Sequence, residues 1–306
     1  MSGRFRLTLA SLVAGLVAAP LLAHAGHVEK VTATSPEAWA MRWFAAALVE
    51  SGAGGPATLA PGSFELGVEA LEIPHLSARQ RTVGFDGTKT EDLNRTPLAA
   101  RPEVSLGLPG GLIVTAGWIP PIELDGAEAN VLTLSLGRSF RFGDRGRIAL
   151  RAAAAHATIR GDFTCPAAAA AAGDDPIANP YGCDEPSHDE QRFDTVGLTA
   201  AFGWRLGTRS TSPELTLAAG SHRFDGAFHV DATYVGFQDT THLTNKSWIT
   251  TAAVGLAVPV GERARLDLAA QYAPLSVERH IGTGPLERRE RDDLLQLRAG
   301  FAVRLP

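Results

Sequence analysis

From about residue 63 to the C-terminus, apolar and polar residues alternate in short runs, each bounded by turn residues. The last run is the clearest: Leu295, Leu297, Ala299, Phe301, Val303 and Leu305 share one face, and Gln296, Arg298, Gly300 and Arg304 share the other. In "ERARLDLAAQYAPLS", Leu266, Leu268, Ala270 and Tyr272 oppose Arg265, Asp267, Ala269 and Gln271. In "NVLTLSLGRSFRF", Leu132, Leu134, Leu136, Phe140 and Phe142 oppose Thr133, Ser135 and Arg141, with Arg138 the exception on the apolar face. The same period runs through "SFELGVEAL", "EVSLGL", "GLIVTAGWI", "DTVGLTAAFGWRL", "PELTLAAGS" and "WITTAAVGLAV". "GRIALRAAAAHATIR" joins them against the helical preference of its alanines.

The connections alternate in length. Tight, Gly- or Pro-rich turns at "LPGG", "GDRG", "GERA" and "GTRSTSP" separate long stretches near 73–100, 161–191, 231–245 and 280–291, with a shorter one at 120–127. Ten strands with short turns on one side and loops on the other form an antiparallel up-and-down arrangement, and eight or twelve strands fit the same pattern. The expected fold is all-β: an up-and-down antiparallel transmembrane β-barrel of about ten strands with a short N-terminal helix.

That helix is predicted in "SPEAWAMRWFAAALVESG". Ser35 can cap it, Pro36 suits its first turn, Glu37 suits its positive end, and Gly52 can end it. Trp39, Met41, Trp43, Phe44, Leu48 and Val49 make it apolar on most sides, so it must be buried or interfacial. "GAGGPATLAPG" follows as a linker.

Ahead of the helix, Arg4 and Arg6, the apolar stretch from Leu7 to Leu22 and the Ala23-His24-Ala25 site have the form of a cleaved secretory signal peptide. The expected organisation is 1–25 signal peptide, 26–62 periplasmic helix and linker, and 63–306 outer-membrane barrel, with the helix plugging the barrel or lying beneath it. Losing Arg4 and Arg6 leaves 26 basic against 33 acidic residues, a formal charge of −7, which argues against nucleic acid as a partner. Export also gives Cys165 and Cys183 a role, because two thiols in an oxidising compartment are expected to form a disulfide. Such a bond would restrain the 161–191 loop by about 3 kcal/mol.

On these alternating faces and asymmetric connections, residues 63–305 resemble the bacterial outer-membrane β-barrel proteins. The resemblance implies residence in the outer membrane, lipid around the wall and the barrel-assembly machinery as a partner. Members of that class usually end in an aromatic residue read by this machinery, whereas this chain ends in Leu305-Pro306. Aromatic residues Phe140, Phe142, Phe202 and Trp204 near two short turns suit an interfacial girdle. The inverted arrangement, a soluble periplasmic barrel with apolar faces turned inward onto a ligand, is the competing fold.

With the apolar face in lipid, the interior holds Glu65, Glu69, Glu103, Arg141, Arg151, Arg205, Glu214, Arg265, Asp267, Gln296 and Arg298. A barrel of this size is nearly filled by side chains, so mixed charges should pair and close it. The candidate charge network is Glu65, Glu69, Arg141, Arg151, Arg205, Arg265, Asp267 and Arg298. Catalysis at the rim would need a nucleophile or activated water beside a base. His229 and Asp231, two apart on an extended segment, are the weak candidates, with His156, His222, Asp225 and His242 beside them. Asp184, Glu185, Asp189 and Glu190 are hard-oxygen candidates for a divalent cation, in no recognised spacing. No cofactor is expected and the external ligand is open. The expected role is structural or surface-interacting, with a closed or narrow lumen. A narrow pore, a rim hydrolase and a soluble ligand-binding barrel are the alternatives.

Overall fold

The computed structural model describes residues 28–54, 58–209, 211–280 and 287–305. The expected signal peptide lies outside them. Ten antiparallel strands form the wall: β2 (Phe64–Glu72), β3 (Leu98–Leu108), β4 (Leu112–Ile119), β5 (Ala127–Phe142), β6 (Gly146–Gly161), β7 (Asp189–Arg205), β8 (Glu214–His229), β9 (His242–Val260), β10 (Ala264–Ala273) and β11 (Leu294–Leu305). Each pairs with the next, and β11 pairs with β2 from Leu305↔Phe64 to Arg298↔Leu71, so the sheet closes and no wall edge is left open. A short strand β1 (Val28–Lys30) adds in parallel to β9.

The register sets the faces. Leu132 of β5 stands opposite His156 of β6, and Leu136 opposite Ala152, so the apolar rows continue from strand to strand around the outside. Leu198, Leu217, Trp248 and Leu297 are all more than half exposed, which only a lipid solvent makes favourable over so continuous a surface. On β9 the outward row from Trp248 to Val258 spans about 25 Å of height at a rise of ~3.3 Å per residue and a tilt of ~40°, which matches an outer-membrane apolar band. Phe142, Phe202 and Trp204 stack along its turn-side margin at 5.7 and 6.3 Å, as an interfacial girdle does. Arg138, the exception on this face, lays its guanidinium 4.9 Å from the Phe140 ring at the same margin.

An even-numbered closed barrel with an apolar belt, short turns at one end and long loops at the other is the architecture of the bacterial outer membrane, and this protein belongs there. No helix among the described residues is long and apolar enough to cross a membrane; the strands do so.

Two details differ from the sequence expectation. β3 begins at Leu98, five residues earlier than the "EVSLGL" run, because Pro102 faces outward within the strand while Arg101 and Glu103 face inward. The long connections also contain structure of their own: short hairpins pair Ala232–Tyr234 with Phe237–Asp239 and Ser276–His280 with Glu287–Arg291.

The helix α1 (Pro36–Leu48) is where the sequence placed it, but it lies inside the barrel rather than in the periplasm beneath it. Trp39 and Trp43 are 0% and 2% exposed, packed with Leu71, Val131, Ala157, Phe193, Phe224 and Ile249 of the wall. A helix apolar on most sides needs apolar neighbours on most sides, and only the bore supplies them.

Candidate functional site: the filled lumen and the loop rim

Ser35 starts the helix by accepting a hydrogen bond from the Ala38 amide at 3.2 Å, and Pro36 occupies the first turn. At its other end the helix has carbonyls without helical partners, which wall side chains take up. Gln271 Nε2 donates to Ala46 O at 2.8 Å, Gln296 Nε2 to Ala47 O at 3.0 Å, and Arg101 Nη1 to Leu48 O at 2.9 Å. Arg298 Nη2 donates to both Ala47 O and Val49 O, at 3.0 and 2.8 Å. Higher up, Gln191 Nε2 donates to Met41 O at 3.0 Å. Two guanidinium groups at the negative end of the helix dipole add favourable charge to these bonds.

Below the helix the lumen is a network of ion pairs. Glu69 contacts Arg101 and stands 3.5 Å from Arg298, while Arg101 also reaches Glu103 at 2.9 Å. Arg265 joins Glu65 at 3.0 Å and Asp267 at 2.7 Å, and Arg151 joins Glu50 at 3.1 Å. The structure thus brings together Glu65, Glu69, Arg151, Arg265, Asp267 and Arg298 of the sequence-predicted network. Arg141 and Arg205 stand near the short turns instead: Arg141 is exposed opposite Arg147, and Glu214, opposite Arg205, is taken by Arg147. Among the described residues, spaces of about 50 and 30 Å³ lie beside these groups. Each is on the scale of a water or two.

Arg101, Glu50 and the rim residue Lys89 escaped the sequence reading. For Arg101 the signal was present, since Arg101, Glu103 and Ser105 alternate inward, but Pro102 interrupts the run.

At the loop end, Arg42 Nη2 donates to Ser276 O and Trp39 Nε1 to Asp292 O, both at 2.9 Å, tying the upper helix to the connection between β10 and β11. Three other loops meet at Lys89, which is 1% exposed. Its Nζ donates to Glu91 at 2.7 Å and to the Thr164 carbonyl, and sits 5.3–5.6 Å from the rings of Phe85, Tyr181 and Tyr234. Burial pushes the Glu91 carboxyl up to about 8, with Lys89 pulling it back. Nearby, Cys165 and Cys183 are bonded, with Cα atoms 5.7 Å apart, and the alanine run between them supplies a short helix, Ala167–Ala171.

His229 and Asp231 are close in sequence but engaged apart. The His229 ring lies 4.5 Å from that of His242, and Asp231 Oδ1 accepts from Gln238 Nε2 at 3.4 Å. His156 pairs with Asp194 at 2.9 Å on the outer wall, facing away from the lumen, and Asp225 pairs with Lys246 at 2.6 Å. The four oxygen-ligand candidates are likewise separately occupied. Asp184 accepts from the Gly236 amide, Glu185 from Thr233 Oγ1, buried Asp189 from Thr164 N and Ser187 Oγ, and Glu190 from Arg160 and Arg192. No group of three or more His, Cys, Asp or Glu among the described residues could hold a metal ion.

No protein-family model and no curated protein matches the sequence. Solved structures with similar folds include the translocator domain of the autotransporter NalP from Neisseria meningitidis, at 13% identity over 87% of this chain and 95% of that one, TM-score 0.41. The outer membrane protease OmpT from Escherichia coli shares 9% identity over 80% and 94%, TM-score 0.45. LpxR from Salmonella typhimurium shares 9% over 78% and 99%, TM-score 0.32. The likeness is of barrel architecture alone.

Proposed function

We propose that the protein is a closed outer-membrane barrel whose role is structural or surface-interacting rather than conductive. One observation carries the reading: the bore is occupied along its height, by a helix whose terminal carbonyls are held by Arg101, Gln271, Gln296 and Arg298 and by a charge network beneath it. Supporting the surface role, Phe85, Val235 and Phe237 are 49%, 82% and 68% exposed on the outer loops. Phe85 and Val235 also hold left-handed backbone, at φ 49° and 46°, a conformation that costs ~1–3 kcal/mol for such residues and is a mark of sites kept for contact.

Planar-bilayer recording tests the closed lumen. Purified full-length protein should give no stable conductance steps, whereas a variant with residues 35–54 deleted, if heat-modifiable on gels, should give them. Reproducible steps from the unaltered protein would transfer the reading to a narrow pore.

A further inference from the structure

We infer that the chain reaches its wall from outside the cell: Val28 lies on the outer side, and residues 31–54 and 58–63 mark a descent through the protein's own barrel before β2 begins. The wall has a turn end, at 109–111, 143–145, 206–213 and 261–263, and a loop end. An even strand count puts Phe64 and Leu305, the two ends of the wall, both at the turn end, where they pair with each other. In an outer-membrane barrel that end faces the periplasm. A segment preceding β2 would simply stay there if it lay beneath the barrel.

It does not. β1 pairs Val28 with His242, Glu29 with Leu243 and Lys30 with Thr244, at the loop end of β9. Val31 N donates to Thr244 O at 3.0 Å, and Asn245 Nδ2 to Val31 O at 3.1 Å, fixing the entry. From that rim α1 runs ~20 Å down the bore at ~1.5 Å per residue. Its C-terminal end meets Arg101 and Arg298 at mid-height. The chain then continues against the lower wall. A Cβ on Gly52 would overlap Thr199, one on Gly255 would come 2.8 Å from the Ala53 carbonyl, and one on Gly107 would come 2.1 Å from that of Ala60. Gly107 adjoins the 109–111 turn, and the Gly62 amide bonds its carbonyl at 2.8 Å. Three glycines therefore mark where the descending segment presses on the wall, from the lower bore to the turn end.

The segment is enclosed by a wall without an edge, so the barrel closes around the helix during assembly. Any chain joined ahead of Val28 is presented at the cell surface, on the same side as the Cys165–Cys183 loop.

The test uses the full chain in a Gram-negative host, with a short epitope and a protease site inserted directly ahead of Val28. The same epitope in the 174–175 loop and in the 261–263 turn marks the two sides. On intact cells, antibody should label the epitope ahead of Val28 and the loop epitope, and added protease should release the former while leaving a heat-modifiable barrel. The turn epitope should be reached only after permeabilisation. An epitope ahead of Val28 that behaves like the turn epitope, in a barrel that remains heat-modifiable, overturns the inference. Labelling of the turn epitope alone overturns it as well, by reversing the two ends.

Discussion

Arg298 offers the sharpest test of how the lumen is held. Arg298 is 4% exposed, and its guanidinium serves two carbonyls at the helix end, Gln296 and Glu69 at once. Arg298→Met keeps an unbranched side chain of comparable length but strands the Val49 carbonyl, leaves the Ala47 carbonyl to Gln296 and leaves Glu69 with Arg101 alone. Removing one partner of a buried pair costs about 3–5 kcal/mol, because the remaining groups stay buried without full compensation. Arg160 is the control. It makes two ion pairs, with Glu128 at 3.0 Å and Glu190 at 2.8 Å, but on an exposed outer face, where such pairs contribute about 0–1 kcal/mol. Urea unfolding of the protein refolded in lipid vesicles, followed by tryptophan fluorescence, reads both. With a slope of ~1–3 kcal/mol per molar urea, Arg298→Met should lower the midpoint by on the order of 1–5 M and Arg160→Met by a small fraction of that. Arg298→Lys should fall between them, keeping the charge but losing the planar fork. Equal shifts for Arg298→Met and Arg160→Met would refute the claim that buried lumen pairs anchor the helix.

Further outcomes follow from the rim and the descending chain. Reducing Cys165–Cys183 should expose the 162–188 loop to protease, with a loss of about 3 kcal/mol in its local stability, while heat-modifiability on gels is unchanged; collapse of the whole barrel would contradict this. Glu91 has its folded carboxyl raised to about 8 from 4.5, so its contribution is complete below the unfolded value and is lost as pH rises toward 8, by up to ~1.4 kcal/mol per unit. Hydrogen-exchange protection factors of residues 82–91, corrected for the intrinsic base-catalysed rate, should therefore fall between pH 5 and 8, and Glu91→Gln should flatten that dependence. Gly107→Ala should lower the thermal midpoint and the yield of folded barrel, since its Cβ would overlap the Ala60 carbonyl and crowd Leu59 Cβ, a backbone group and a side-chain root rather than the end of a movable side chain.

The strands were legible in the sequence because lipid enforces a two-residue period on every one of them, and even Arg138 is an exception the interface accommodates. Most of the lumen network, Glu65, Glu69, Glu103, Arg151, Arg265, Asp267 and Arg298, followed from the same alternation read inward. Arg101 did not, because Pro102 beside it looks like a strand boundary and is in fact an outward-facing wall residue. The position of α1 was not legible either. A helix apolar on most sides records that it is enclosed without recording by what, and the partners that settle the matter are Gln191, Gln271 and Gln296, whose amides read as ordinary interior polarity. Lys89 is the extreme case: nothing local distinguishes a lysine sealed among three rings from one in water, since the rings come from loops up to about 150 residues away in the chain.

The bonds that seat α1 in the wall run to its carbonyl oxygens, at Met41, Ala46, Ala47, Leu48 and Val49, and every residue carries that same oxygen. The wall thus measures where the helix stops and is indifferent to which amino acid stands there. Exchange of Ala46 or Ala47 for another small residue should leave the seat intact, whereas a single residue inserted between Pro36 and Leu48 would rotate the chain by about 100° and move each oxygen out of step with its donor. At this lower end the plug is a ruler, tolerant of which small residue it carries and constrained in length.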